Sequence, residues 1–329
     1  MGNSSEIVSF VLAAYGNVGA LKYMYFVIIL FWYLFICVAN TILIVVIRVD
    51  RRLHEPMYIL LCNLCVNEIN SSTSLYPLLL SQMFSDSHEV TVPWCFLQMC
   101  CMYTSASVEF WSLAAMAYDR YIAICHPFSY NVIMNTERVG IYISICNPFT
   151  YNVIMKTERV FLMILLVWVY SFLSFIFSYS FIFSLKFCGN IIHNAYCDHQ
   201  LIIRLSCSVP IQSFISDISF AIVSVFIPFS LILASYMKIL RVCRKTSKEN
   251  KQKAVTTCTP QIISVSNLCV GCICYFIDFR FLVSQVPDEV RIILPMYVLI
   301  FQPMLTPFMY GFNLPKIRQS YQRFLFERK

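Results

Sequence analysis

Charged side chains are scarce: Asp, Glu, Lys and Arg make up 12% of the 329 residues, about half the share of an ordinary soluble domain. Hydrophobic residues reach 59%, more apolar surface than a soluble fold can hide. Catalytic signatures are missing as well. The chain has no HExxH or GxSxG motif, and His54, His88, His126, His193 and His199 all fall outside the apolar runs, so an enzyme is not expected. The inverted repeats and midplane charge cluster of a transporter are also lacking, which leaves a membrane transporter a remote alternative. The first residues do not follow the basic-then-apolar plan of a cleaved signal, so the first apolar run is expected to act as the export signal.

What is there comes in blocks. Apolar runs of about 20 residues or more are long enough, at about 1.5 Å per residue, to cross a hydrocarbon core of about 30 Å. Seven are read, near 22–47, 57–80, 95–125, 160–184, 210–240, 254–283 and 290–311. Basic residues follow the first run (Arg48, Arg51, Arg52) and the third (Arg138, Lys156, Arg159). They bracket the fifth-to-sixth connection (Arg241, Arg244, Lys245, Lys248, Lys251, Lys253) and fill the tail from Lys316 to Lys329. Asp86, Glu89, Asp198, Asp288 and Glu289 occupy the alternate connections. Lys and Arg concentrate in cytoplasmic loops, so the net charge of +7 is topological and no nucleic-acid partner is expected. The fold class is an all-α membrane protein, a seven-transmembrane helix bundle in the lipid bilayer, with the N-terminus outside and a short cytoplasmic C-terminal helix. Residues 1–21 form the extracellular N-terminus, where Asn3 heads a glycosylation sequon; 22–311 form the bundle and 312–329 the tail.

Most of the 16 cysteines sit inside spans as small apolar side chains. Cys95, Cys188, Cys197 and Cys207 lie on the outer side, where oxidising surroundings favour disulfides; four cysteines allow three pairings. Glu68 in the second span and Glu109 in the third lie at similar depth and should face the bundle interior. Each reads either as a protonated, hydrogen-bonded acid or as half of a shared cation or proton site. Asp278 and Arg280, toward the outer end of the sixth span, read as an interfacial ion pair or as polar groups of a pocket.

The run Met116-Ala117-Tyr118-Asp119-Arg120-Tyr121-Ile122-Ala123-Ile124-Cys125, followed by His126-Pro127, resembles the third-helix end of olfactory receptors, a branch of the rhodopsin-like G-protein-coupled receptors. Leu53-His54-Glu55-Pro56-Met57-Tyr58 resembles the family's opening of the second helix, Ser235-Tyr236 its fifth-helix ending and Lys253-Ala254-Val255-Thr256-Thr257-Cys258 its sixth-helix start. Residues Asn63 to Thr73 look more like fish-type members. The resemblance covers nearly the whole chain.

That resemblance implies an odorant receptor whose partners are a small-molecule odorant and a heterotrimeric G protein, multi-pass in the plasma membrane of olfactory sensory neurons. It implies a G-protein switch at Asp119, Arg120 and Tyr121, with the arginine swinging free on activation. Phe187-Cys188, Tyr196-Cys197-Asp198 and Leu205-Ser206-Cys207 match the family's three-cysteine outer loop, which implies the pairs Cys95 with Cys197 and Cys188 with Cys207. Glu109 matches a family acid, and Glu68 stands where an acid lines the sodium site of related receptors, so a sodium ion is expected at these two. Helix position gives a pocket wall of Met102, Ser105 and Ala106 on the third span, Phe214 and Ile218 on the fifth, and Phe276 and Phe279 on the sixth. Three departures stand out: Ala39-Asn40 for Gly-Asn in the first helix, Gln261 for His in the sixth, and Thr306 for Asn in the seventh. Thr keeps a hydroxyl but loses an amide that donates and accepts at once.

Residues 119–139 recur as 140–160 with 15 identities in 21 positions, a tandem repeat in the second inner loop. Gly140 and Ile141 replace Asp119 and Arg120, so only the first copy carries a switch. The apolar run from Val139 to Cys146 is too short to span a membrane, and Pro148 limits its helix. A second copy at the surface where a G protein docks makes impaired or absent coupling the alternative reading.

Overall fold

In hydrocarbon every backbone N–H and C=O must be satisfied within the chain, and a long apolar run does this as a helix. The computed structural model describes residues 8–15, 21–125, 157–208, 210–244, 248–281 and 288–326, with the backbone alone at 157, 248–250, 253, 274–281, 288–296, 298–299, 312 and 325–326. Among these, α1 spans Leu21–Val49, α2 Pro56–Gln82, α3 Val92–Cys125 and α4 Thr157–Tyr179. A short loop helix α5 (His199–Arg204) precedes α6 (Ile211–Arg244), α7 (Lys248–Phe281), α8 (Asp288–Asn313) and α9 (Pro315–Phe326). The seven long helices match the seven apolar runs. The main shift is at α7, which begins at Lys248 rather than at 254, because Lys, Glu and Gln are good helix formers that a hydropathy reading passes over.

The burial pattern is inverted relative to a soluble protein. Val27, Phe31, Leu34 and Val38 of α1 and Leu165, Leu166, Val169 and Leu173 of α4 are exposed, while Asn40, Asn67, Glu68, Asp119 and Gln302 are buried. Apolar outside and polar inside is what lipid as solvent demands. Among the described residues, three helices are apolar enough by length and composition to cross a membrane: Leu21–Val49, Glu158–Ser184 and Ile211–Arg244. α2 and α3 are less apolar because they turn polar side chains toward the bundle interior, Glu68 and Glu109 among them.

α3 is the central element, packed on α2, α4 and α6; α8 packs on α7, α1 and α2. Asn40 Nδ2 ties α1 to α8 by donating to the Pro303 carbonyl at 3.0 Å. In α6 a π-helical turn at Ile222–Phe226 comes just before Pro228, whose ring nitrogen has no hydrogen to donate.

One end of the bundle carries Asp119-Arg120 and the other carries the disulfides. At the disulfide end the chain folds a small sheet that hydropathy did not indicate. β1 (Ser9–Leu12) pairs antiparallel with β2 (Glu89–Thr91) and parallel with β3 (Ile191–Ile192). Phe10 and Leu12 are buried beneath it, and the Tyr15 hydroxyl donates to the Ala195 carbonyl at 2.7 Å. At the switch end, α9 is fastened to the α1–α2 connection: Ser320 Oγ donates to Asp50 Oδ2 at 2.6 Å and Lys316 Nζ lies 2.6 Å from Glu55 Oε1. The Ser320 hydroxyl, followed by Arg52, holds the Asp50 carboxyl below its ordinary range.

Candidate functional site

Three groups of side chains along the bundle axis bear on function. At the end of α3, Asp119 is fully buried and Arg120 turns back onto it, with Nε 3.0 Å from Asp119 Oδ2 and Nη2 on the same oxygen. The Lys238 ammonium lies 4.9 Å from the centroid of the Tyr121 ring. Directly above, Gln261 on α7 accepts a hydrogen bond from the Tyr236 hydroxyl of α6 at 2.8 Å and donates Nε2 to the Leu113 carbonyl of α3. This amide, which stands where the resemblance expects His, thus holds α3, α6 and α7 together above the Arg120 pair.

Midway along the bundle, Glu68 and Glu109 are both buried and their carboxyl groups are neighbours. Thr306 Oγ1 of α8 donates to Glu68 Oε1 at 3.1 Å. The polar chain continues through Gln302, whose Oε1 accepts from Asn267 Nδ2 at 2.7 Å, to the Tyr297 hydroxyl, which donates to Asn267 Oδ1 at 2.8 Å. Gln302 Nε2 faces Glu109 without closing a well-shaped hydrogen bond, and Glu109 Oε1 has no partner among the described residues. Two adjacent buried carboxyl groups cannot both carry charge cheaply, so at least one of them is neutralised by a proton unless a cation lies between them. Among the described residues no group of three His, Cys, Asp or Glu is arranged to hold a metal ion; the two carboxyl groups and the Thr306 hydroxyl offer oxygens of the kind a hard monovalent cation takes, whereas Gln302 turns its Nε2 toward them.

At the disulfide end, Cys95 is bonded to Cys197 and Cys188 to Cys207. Immediately after Cys197, Asp198 caps α5, accepting from the Gln200 N–H at 2.9 Å and more distantly from Leu201. The next two residues clasp α6: Gln200 Nε2 donates to Asp217 Oδ2 at 2.6 Å, and His199 Nδ1 lies 3.3 Å from Asp217 Oδ1. That second approach is at ion-pair distance but lacks hydrogen-bond geometry, since neither ring nitrogen of His199 has a hydrogen bond among the described residues. The imidazole is buried against Tyr179 at 4.2 Å and Tyr103 at 6.2 Å between ring centroids, and burial pushes its pKa down to about 3. Sequence reasoning passed over Asp217. The available signal was one acid inside the otherwise uncharged run Ile211–Ala221.

The structure distributes the expected pocket wall unevenly. Met102 is buried with Leu75, Tyr76 and Tyr196. Ser105 is buried, its Oγ accepting from Asn70 Nδ2 at 2.8 Å and its carbonyl from Asn67 Nδ2 at 3.0 Å. Ala106 is exposed. Phe214 and Ile218 lie on an exposed stripe of α6 with Ile211, Ile215 and Ile222, whereas Ser213, Phe220 and Ser224 on the same stretch are buried. Asn3, the side chains of Phe276, Phe279, Asp278 and Arg280, and residues 140–156 of the second repeat lie outside the described residues.

Comparison with known proteins agrees with this architecture. Squid rhodopsin superposes with a TM-score of 0.68 at 17% identity, covering 92% of this chain and 80% of that one. Human olfactory receptor 11H7 is 34% identical over 81% of this chain and 79% of its own length. Mouse olfactory receptor 7A42 is 30% identical over 98% of both. The sequence model of the olfactory receptor family matches in two stretches, 29–141 and 136–328, which meet inside the tandem repeat. The seven-helix fold, the two disulfides and these matches place the chain among signalling receptors rather than enzymes, and it belongs to the olfactory receptor family.

Proposed function

We propose that this receptor binds a small organic odorant near the disulfide end of the bundle and signals to a heterotrimeric G protein at the opposite end, with its N-terminus and Asn3 outside the cell. The observation that carries this reading is the buried Asp119–Arg120 pair beneath the Gln261 bonds. Breaking a partly desolvated ion pair leaves a costly charge unpaired, so the pair keeps Arg120 folded back on α3 until a ligand favours another arrangement. A ligand that binds the open bundle better than the closed one would shift that population and expose a cavity for the G protein. The site of action would be the plasma membrane of olfactory sensory neurons.

The Glu68 and Glu109 pair supports a second element, a sodium ion or shared proton retained in the closed state and released on opening. The repeat at 119–139 and 140–160 favours one rival reading, a receptor fold with impaired coupling. A heterologous second-messenger assay against an odorant panel tests both readings. Arg120→Ala should abolish output while surface expression persists; retained output would refute the switch. Deleting 140–160 should raise output if the second copy obstructs coupling, and equal output before and after would remove that rival.

A further inference from the structure

Asp217 is the seventh residue of α6, roughly 9 Å along the axis from the outer end of that helix. Among the described residues no lysine or arginine lies within ion-pair distance of it. Its partners are neutral donors: Gln200 Nε2 at 2.6 Å on Oδ2, with the Tyr179 hydroxyl beside the same carboxyl group. His199 Nδ1 approaches Oδ1 at 3.3 Å, but the imidazole is buried, makes no hydrogen bond among the described residues and is kept neutral by that burial. A buried ring nitrogen without a partner, set against a carboxylate without a cation, leaves the pair one positive charge short.

The carboxyl group itself can be reached. The Asp217 side chain is 26% exposed, and an ionisable group within a span faces the bundle interior or a water-filled cavity rather than lipid. A carboxylate offers about four lone-pair positions, of which Gln200 and Tyr179 take up no more than two. The surroundings decide the chemistry of the missing cation. Among the described residues no set of three His, Cys, Asp or Glu is arranged to hold a metal ion, so the cation has to bring its own hydrogen-bond donors. The neighbouring wall is aromatic, with Tyr179 and Phe220 5.5 Å apart and Tyr103 5.8 Å from Phe220 between ring centroids, which suits a hydrocarbon body bearing a positive charge. Alkylamines of lysine's kind carry that charge at neutral pH. We infer that Asp217 anchors the ligand's cation, and that this receptor takes a small primary amine with its ammonium on Asp217 and its apolar body along Tyr179 and Phe220. The inference rests on the receptor reading above and names the class of its ligand.

The anchor is joined to both ends of the bundle. Gln200 belongs to the loop that the Cys95–Cys197 disulfide ties to α3. In the other direction α6 runs 19 residues from Asp217 to Tyr236, roughly 28 Å, and the Tyr236 hydroxyl donates to Gln261 above the Arg120 pair. An ammonium that competes with Gln200 for the carboxylate acts on the loop at one end and, through the helix, on the Gln261 bonds at the other.

The test uses the full chain in nanodiscs of zwitterionic lipid, photolabelled with a diazirine-bearing primary alkylamine and mapped by peptide mass spectrometry. Adducts are expected on the segments around Tyr179, Asp198 to Leu201 and Ser213 to Phe220. Hexylamine should displace the label, whereas 1-hexanol, nearly the same size and uncharged, should need about tenfold more or fail to displace it. Asp217→Asn, whose side-chain oxygen can still accept from Gln200, should lower labelling by about tenfold or more, and Asp217→Glu should restore part of it. The comparison of amine with alcohol is made on the wild type, so it decides even where a variant fails to fold. Labelling that is absent from these segments, is displaced equally by hexanol, or is equal in wild type and Asp217→Asn would overturn the proposal. Because the readout is binding, an amine that labels these segments yet evokes no second messenger would count against the receptor reading and not against the anchor.

Discussion

Thr306 of α8 donates its hydroxyl to Glu68 of α2 at 3.1 Å, joining two helices through the buried acid pair. The asparagine that the family carries here would donate and accept at once; the threonine hydroxyl spends its one proton on the carboxyl group. Glu68→Gln removes the charge on which a shared proton or cation depends. It is expected to change basal output several-fold and to abolish any effect of replacing sodium with a bulky organic cation in the second-messenger assay. If both sodium replacement and Glu68→Gln leave basal and ligand-evoked output unchanged, the cation-site reading fails.

Gln261 makes two bonds that exist only while α7 lies against α3 and α6. Neutral hydrogen bonds contribute about 0.5–1.5 kcal/mol each, so Gln261→Leu should shift the resting population toward the open bundle by on the order of tenfold. Ligand-independent output should rise accordingly, measured against surface expression. Combining the change with Arg120→Ala should return output to background, which separates true opening from a general gain in expression.

The bundle was legible because lipid imposes a simple rule, and the seven runs needed only their edges moved. The acid pair was legible for the same reason: Glu68 and Glu109 are conspicuous in apolar sequence and have one sensible direction to face. Cys95 could not be paired from spacing, and its partner Cys197 was implied by the likeness of the outer loop. The β1 strand was illegible because Ser9–Leu12 has no periodicity of its own at four residues and gains its hydrogen bonds from β2 and β3, about 80 and 180 positions away. Phe214 and Ile218 were placed on a pocket wall by helix position alone, and a rotation of α6 of less than half a turn separates their exposed stripe from buried Ser213 and Phe220.

The two disulfides should not weigh equally. Cys95 and Cys197 are 102 residues apart and Cys188 and Cys207 only 19, so a chain-entropy treatment gives about 4.7 and about 3 kcal/mol respectively. The first also fixes the outer loop to α3 next to the Asp198 cap. Cys95→Ser should therefore nearly eliminate surface receptor, while the Cys188→Ser, Cys207→Ser double variant should reduce it partially. Flow cytometry of epitope-tagged, non-permeabilised cells measures both, and a larger loss in the double variant would contradict the ordering.

His199 provides a pH dependence whose sign can be worked out. Burial against Tyr179 keeps the imidazole neutral down to about pH 3, whereas in an unfolded chain it takes up a proton near pH 6.5. Between those values the unfolded chain binds more protons, so stability rises with pH there. The contribution is complete above about pH 6.5 and is lost as pH falls toward 3, at up to about 1.4 kcal/mol per pH unit. Asp217 Oδ1, 3.3 Å from Nδ1, opposes this by offering the imidazolium a partner. The apparent Tm of receptor in nanodiscs should fall between pH 7 and pH 5, and His199→Phe, which keeps a ring against Tyr179, should flatten that fall. A Tm that is level or rises toward pH 5 in the wild type would mean that the Asp217 pairing outweighs the cost of burying the charge.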